Sequence, residues 1–459
     1  MQRTLTSQLK ENTGQEVMLQ GWLHNVRDLG KFGFIIIRDR GGLAQCVVED
    51  AEELRKLDNL YTGTIIQIEG KAIENEKSKY GYEVSNSKVT VLNPVTYPSP
   101  VDISKEDLNV ELDTALNLRS IVLRHPKQQA IFRVQASCMK AFRESMERQG
   151  FTEFVSPVLI GVPSESGASV FEVNYFGEKA YLAQSPQIYK QIMTGVFERV
   201  FTIARVFRAE KHNTSRHLME IVQMDGEMGF VNNYDEVLQV IEQVVRDIVN
   251  YIAEHNVADL KIHGVNLPKL PSGRFPKVKV KEALQIIEER TGKSANREEL
   301  DLEPEDEREI AKYILEKFDS DFVWLLNFKR DKNFYTWNNE VGTVDSVTDK
   351  TADPDESLSF DLECRGLEWL SGTHRIHNFE KLYTNLIAQG LKPEHYVHYL
   401  QAFKYGMPAE AGFSFGLERL TKQIFELDNI REATNFPCDL NRVAGYPMKS
   451  EKSWGIDTN

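Results

Sequence analysis

Residues 206–228, VFRAEKHNTSRHLMEIVQMDGEM, place two arginines, a lysine, two histidines and four carboxylates in a stretch bordered by apolar and β-branched residues. The flanks predict structure directly. RVFTIARVF (199–207) reads as a short buried strand, EKHNTSRH (210–217) as a polar loop with Asn-Thr-Ser turn chemistry, and LMEIVQMD (218–225) as the returning strand. Successive side chains of a strand leave opposite faces, so Arg208 and Glu210, two apart, are expected on one face, as are Asp225 and Glu227 on the partner strand. Such charges form either a solvated hairpin tip or a sheet face that covers a core poorly and grips a charged ligand well.

Three other stretches share the pattern, with charges at period two or three in segments apolar enough to be buried. They are QSPQIYKQ (184–191), LEWLSGTHR (367–375) and GFSFGLERL (412–420). Buried charge must be paired, internally or by a ligand. Internal ion pairs account for any one stretch; four together suggest a site for a highly charged substrate.

At 459 residues and 41% apolar content the chain can build two or three cores. Its four cysteines, Cys46, Cys138, Cys364 and Cys438, stand far apart with no CxxC spacing, which argues against a disulfide framework or a zinc site and suits a reducing compartment. No apolar run reaches the roughly 18 residues of a membrane span, and MQRTLTSQLKEN has no hydrophobic segment of the kind a signal peptide needs, so a soluble cytoplasmic protein without a membrane partner is expected. A net charge of −14 argues against nucleic-acid binding at first sight. Residues 1–100, however, carry 12 Lys and Arg against 13 Asp and Glu, so the N-terminal part is nearly neutral and can present a local basic face.

From Gln15 to about Leu92 the runs EVMLQGWLHNV, FGFIIIRDRGG, LAQCVVED, GTIIQIEGKAI and YEVSNSKVTVLN alternate with glycines, and one helical patch falls at DAEELRKLDNL. Five strands in under ninety residues predict a small β-barrel of the OB type. NPVTYPSPVDI, with three prolines between Pro94 and Pro100, opens a hinge over 94–125. A long amphipathic helix is expected from Pro126 to Gly150, and another at NYDEVLQVIEQVVRDIVNYIAEHN. Residues 276–318 are helical in pattern and highly charged, which reads as a surface insertion or solvated helix pair with no chemistry; the polar, turn-rich 338–357 reads as a mobile loop.

These motifs carry a resemblance. FRAEKHNTSRH resembles motif 2 of the class II aminoacyl-tRNA synthetases, GFSFGLERL their motif 3, and FTEFVSPVLI, with Pro157, their motif 1. An OB-fold ahead of the catalytic domain is similar to the aspartyl, asparaginyl and lysyl subgroup, and AQSPQIYKQ with QMDGE resembles the aspartyl enzymes of archaeal and eukaryotic type. The implied fold class is α+β: an OB barrel for the anticodon at 1–93, a hinge at 94–125, and at 126–459 a catalytic domain with a mostly antiparallel sheet flanked by helices.

The resemblance also implies roles. Arg208 would grip the α-phosphate of ATP and the aminoacyl carboxylate, and Glu210 would read the adenine amino group. Arg216, His217 and Leu218 fall on the pyrophosphate side; Arg419 at the end of Gly416-Leu417-Glu418-Arg419 would hold the γ-phosphate, with Gly416 letting the chain approach adenine. Glu368 and Ser371 supply hard oxygens for Mg²⁺. For L-aspartate, Lys190 and Arg375 would face the side-chain carboxylate, Asp225 and Glu165 the α-ammonium, and Gln187 would support, with Ile188, Tyr189, Arg208 and Ser371 completing the subsite. Two cations on one carboxylate would reject asparagine, whose neutral amide leaves buried positive charge uncompensated.

On the barrel, His24, Phe34 and Gln45 match the anticodon-binding face, with Phe34 stacking a base and Gln45 hydrogen-bonding one. Relatives with Trp at the position of His24 tend to be strict for tRNA(Asp), and those with His also charge tRNA(Asn), so both tRNAs are expected partners. Motif 1 implies a homodimer. Cys438, Ser166 and Ala115 depart from the family's usual residues. A strict tRNA(Asp)-only aspartyl enzyme, an asparaginyl enzyme and a paralogue that binds without charging tRNA are the alternatives.

Overall fold

The computed structural model describes the chain except residues 166–168, 212–213, 294–299, 330–332, 338–355, 444–445 and 448–459. The described part divides into two compact units, one ending at Gln129 and one running from Ala130 to Lys449.

In the first unit β1 (Glu16–Asp28), β2 (Gly33–Asp39), β3 (Gly42–Val48), β4 (Ile65–Glu74) and β5 (Tyr82–Asn93) close into a barrel in the order β1-β2-β3-β5-β4, with α1 (Ala51–Arg55) between β3 and β4. The expected five strands are all present. Alternation decides their faces: Val17, Leu19, Ile35, Ile37, Ala44, Cys46, Ile66 and Ile68 point inward as one core. Residues 94–125 are more than a linker. They carry α2 (Leu112–Asn117) and α3 (Arg119–Val122) and a small core of Val101, Ile103 and Val122, against which Ala115 packs.

The second unit begins within α4 (Pro126–Arg148), which ends two residues short of the Gly150 that closes the predicted helix. There follow β6 (Thr152–Glu153), β7 (Leu159–Ile160), β8 (Glu172–Tyr175), β9 (Glu178–Leu182), α5 (Gln187–Phe197), β10 (Arg199–Phe207), β11 (Glu220–Gly229), α6 (Tyr234–His255) and α7 (Val257–His263). Then come β12 (Lys277–Lys279), α8 (Val280–Thr291), α9 (Pro304–Phe318), β13 (Phe322–Leu326), β14 (Ser359–Cys364), β15 (Leu367–His374), α10 (Phe379–Ala388), α11 (Val397–Lys404), β16 (Glu410–Gly416) and α12 (Leu417–Ile424). Eight strands form one sheet in the order β12-β13-β14-β15-β16-β11-β10-β6, antiparallel except at its two ends.

Helical spacing builds the layer beneath this sheet. In α6, Val237, Leu238, Ile241, Val244, Val245, Ile248 and Ile252 recur every three or four residues and are buried with Ile131, Val134, Cys138 and Phe142 of α4 against Phe201, Met224, Phe413 and Phe415. Each such apolar side chain contributes ~1.5–3 kcal/mol of gross burial energy, so this layer holds the sheet rigid. Among the described residues no helix is long and apolar enough to cross a membrane.

The expectation for residues 276–318 needs correction. They form neither an appendage nor a solvated pair: β12 joins the sheet edge, and Val280, Ala283, Leu284, Ile287, Ile310 and Ile314 of α8 and α9 are buried against Val323 and Leu325 of β13. Dense charge on the outer faces masks an inner apolar stripe. The turn-rich segment 338–357 lies outside the described residues except at Glu356 and Ser357.

Candidate active site

β10 ends at Phe207, so Arg208 and Glu210 do not share a strand face as expected; they reach out from the start of the loop, where the Arg208 amide still donates to the Met219 carbonyl at 2.9 Å. Asp225 and Glu227 do alternate on β11, opposite Ser414 and Gly412 of β16. A cavity of about 390 Å³ opens over these strands. Glu165, Gln187, Lys190, Arg208, Glu210, Arg216, His217, Leu218, Asp225, Glu368, Ser371, Arg375, Gly416, Glu418 and Arg419 all line it.

Three expected residues do not. On α5, Gln187, Lys190, Gln191 and Thr194 share one buried face, and the helical period turns Ile188 and Tyr189 into an apolar cluster with Phe334, Tyr335 and Trp337. Leu417 is likewise core. Glu418 lines the cavity, yet its two carboxylate oxygens accept the Val222 amide, each at 3.1 Å, and burial pushes its pKa up to about 7. A Cβ on Gly416 would meet only the Arg419 side chain, at 3.7 Å, so the protein itself does not demand glycine there.

At the deep end Lys190 lies 2.9 Å from Asp225 and 3.3 Å from Glu227, and it also donates to the Phe413 carbonyl at 3.3 Å. Arg375 grips Glu227 at two points, Nε to Oε1 at 2.8 Å and Nη2 to Oε2 at 3.2 Å. Burial works against the Arg375 charge, and Glu227 overrides it. The two cations are therefore already neutralised, which corrects the expectation that uncompensated positive charge awaits the substrate. Ser414 fixes Asp225 through a 2.6 Å hydrogen bond.

At the outer end three more pairs recur: Arg208 with Glu165 at 3.7 Å, Arg216 with Glu307 at 3.0 Å, and Arg419 with Glu368 at 2.8 Å. Glu368 and Ser371, three apart, would leave opposite faces of a regular strand. β15 carries one extra residue against the Leu362–Glu363 step of β14, and this bulge returns both side chains to the cavity. Ser371 stands opposite Asp361, whose carboxyl is raised well above its usual range by burial and then by Glu368. This donor set is all oxygen. Glu368 and Ser371 are hard oxygen donors of the kind Mg²⁺ takes; among the described residues no three His, Cys, Asp or Glu group to cage a metal.

Sequence reasoning missed Asp361, Glu410, Gly412 and Glu307. Asp361 and Glu410 sit between apolar neighbours, in Phe-Asp-Leu and Ala-Glu-Ala, a signal of a buried acid. Glu410 accepts from Gln191 at 2.6 Å and is raised well above the ordinary carboxylate range by burial and Glu227. Gly412 is required because a Cβ there would lie 1.7 Å from the Glu227 carboxylate. Glu307 gave no signal in a helix full of carboxylates. Of the departures, Ser166 lies outside the described residues, and the Cys438 carbonyl accepts from the Met219 amide at 2.9 Å.

On the barrel, Phe34 and Gln45 face outward, half-buried. Phe34 stands edge-on to Phe32 at 5.5 Å, and Gln45 donates to Glu83 at 2.8 Å. His24 does not join them. It occupies an irregularity between Leu23 and Asn25 and is 6% exposed; burial, then Arg38, lowers its pKa to about 4, so the buried ring is neutral. His24 is thus buried in the barrel wall, whereas Phe34 and Gln45 are half-buried on its outer face.

The profile described as "tRNA synthetases class II (D, K and N)" matches residues 111–440, and that of an "OB-fold nucleic acid binding domain" matches residues 17–92. The chain belongs to the class II tRNA synthetases of the D, K and N group, a family of ligases. It is 38% identical to an aspartate–tRNA(Asp/Asn) ligase of Thermus thermophilus over 96% of its own length and 99% of that protein. It is equally 38% identical to an aspartate–tRNA(Asp) ligase of Thermococcus kodakarensis, over 95% and 97%. Among solved structures it resembles the asparaginyl-tRNA synthetase of Pyrococcus horikoshii complexed with asparaginyl-adenylate, with TM-score 0.85, 27% identity, and coverage of 96% of this chain and 99% of that one.

Proposed function

We propose that this enzyme is an aspartate–tRNA ligase, activating L-aspartate with ATP and transferring it to the 3′-terminal ribose of tRNA(Asp) and also tRNA(Asn). The observation that carries this is the two-ended cavity, with buried, fixed cations at its deep end and partly solvated cations, whose carboxylates phosphate can replace, at its outer end. Adenylation is an in-line displacement at the α-phosphorus by the substrate carboxylate, so no protein base is needed. Arg208 holds the α-phosphate and reacting carboxylate, Glu210 faces the adenine amino group, and Arg216, His217 and Arg419 neutralise the departing pyrophosphate. Glu368 and Ser371 would hold Mg²⁺, which would supply further charge neutralisation at the phosphates.

At the deep end Lys190 and Arg375 offer only N–H donors. A carboxylate accepts at both oxygens, whereas the amide of asparagine must turn its NH₂ toward a donor, leaving a buried contact unmet. Glu165 and Asp225 receive the α-ammonium, with Gln187 as a supporting contact. The barrel, taken as residues 1–93, binds the anticodon with Phe34 and Gln45. Extension to tRNA(Asn) is supported by the buried His24, which presents no ring to the third anticodon base, and by the Thermus relative. Charging assays with Asp and Asn on both purified tRNAs decide the matter. Asparagine activation at a rate comparable with aspartate would overturn the amino-acid assignment, and a failure to charge tRNA(Asn) would leave a strict enzyme.

The same reading includes a two-fold homodimer through motif 1. Val155 and Phe176 are 95% and 93% exposed, with Val158, Leu159 and Tyr175 also open, a concentration of apolar surface that a partner copy would cover. Sedimentation at micromolar concentration should give twice the chain mass; a monomer there removes this part.

A further inference from the structure

We propose that Glu307 is a positioning residue that competes with pyrophosphate for Arg216 and recaptures the guanidinium as pyrophosphate leaves. This rests on the reading of the outer cavity as the triphosphate end.

Glu307 sits in the first turn of α9, half-buried so that burial raises its pKa even beside Arg216, and α9 is fixed to the sheet by Ile310 and Ile314. Its carboxylate is therefore a stationary anchor. Arg216 belongs to the loop, but the loop backbone beside it is pinned separately: the Ile430 amide donates to the Ser215 carbonyl at 2.9 Å and Arg431 to the Thr214 carbonyl at 3.0 Å. Only the Arg216 side chain needs to swing. The pair it leaves is partly solvated, and such pairs are weak enough to exchange, whereas phosphate oxygens form stronger charge-assisted bonds to guanidinium. Once Arg216 departs, Glu307 is left partly buried and in the field of Glu368 without its counter-ion. That imbalance favours the return of Arg216 and with it the release of product.

The test uses the full-length protein and inorganic pyrophosphate. In Glu307→Gln the inhibition constant of pyrophosphate against ATP should fall about threefold to fivefold, the size of a partly exposed pair, and the KM for ATP should fall in parallel with an unchanged thermal midpoint. Glu307→Asp, which keeps the charge, should lie between wild type and Gln, and it carries the same test should the Gln variant fold poorly. In an Arg216→Ala background the Glu307→Gln effect should vanish. An inhibition constant equal to or above that of wild type, while Arg216→Ala alone weakens pyrophosphate binding, overturns the role of Glu307 and spares the triphosphate assignment. Unchanged pyrophosphate binding in Arg216→Ala removes that assignment and the proposal with it.

Discussion

The two ends of the cavity use the same chemistry, carboxylate against cation, at very different depths. At the deep end the side chains of Lys190 and Asp225 are each 2% exposed, and those of Arg375 and Glu227 are 4% and 0%. At the outer end the Arg216 and Glu307 side chains are 28% and 17% exposed, and those of Arg419 and Glu368 are 29% and 33%. A buried pair cannot lose one member without stranding the other, whereas a half-solvated pair can let water or phosphate take over. In the function proposed above, the deep end is thus a fixed template that selects, and the outer end a set of contacts traded during turnover.

Substitutions can break this contrast, beginning with the deep end. Arg375→Met leaves Glu227 in the core with only Lys190, which Asp225 already shares, and should cost ~3–5 kcal/mol in urea unfolding together with aspartate-dependent ATP–pyrophosphate exchange. A loss below about 1 kcal/mol would mean the deep pairs are no more structural than the outer ones. Arg419→Ala should show the opposite balance: exchange down by roughly 10²–10³, as when one charge-stabilising donor is removed, with stability within about 1 kcal/mol of wild type.

Glu418 sharpens the contrast through pH. Its folded pKa, about 7, stands above the ordinary 4.5 because of burial. The native state therefore holds the proton more tightly, and the stability this contributes is complete below pH 4.5 and lost as pH rises toward and through 7. Relative to Glu418→Gln, wild type should lose on the order of 3 kcal/mol between pH 4.5 and 8, measured by urea midpoints. A pH-independent difference would show that the carboxyl is already ionised in the fold. The smallest effect is expected of Gly416→Ala, whose backbone at φ −85° accepts a Cβ. Stability should rise by ~0.4–1 kcal/mol while the KM for ATP increases. An unchanged KM would mean that adenine does not approach this strand end.

Period-two and helical patterns made most of this architecture legible: the five barrel strands, the long helix from Pro126, and the strand holding Asp225 and Glu227. The candidate site was legible wherever a charge stood in an apolar frame, as with Lys190, Arg375 and Arg419. It was not legible where tertiary pairing decides. Composition cannot separate Glu307 from Glu305 and Asp306 beside it, since only the packing of α9 on β13 aims one of them at Arg216. Ile188, Tyr189 and Leu417 were included because motif contiguity ignores the turn of a helix, and His24 because a strand irregularity was invisible in the sequence.

Gly412 leaves a gap of one methyl group, and the carboxylate of Glu227 occupies it. For anyone redesigning this pocket toward another amino acid, that makes position 412 a hidden veto. Libraries that randomise β16 together with Lys190 or Arg375 will be emptied of folded members by this position alone, whatever the merit of their other changes, unless residue 227 is shortened in the same clone.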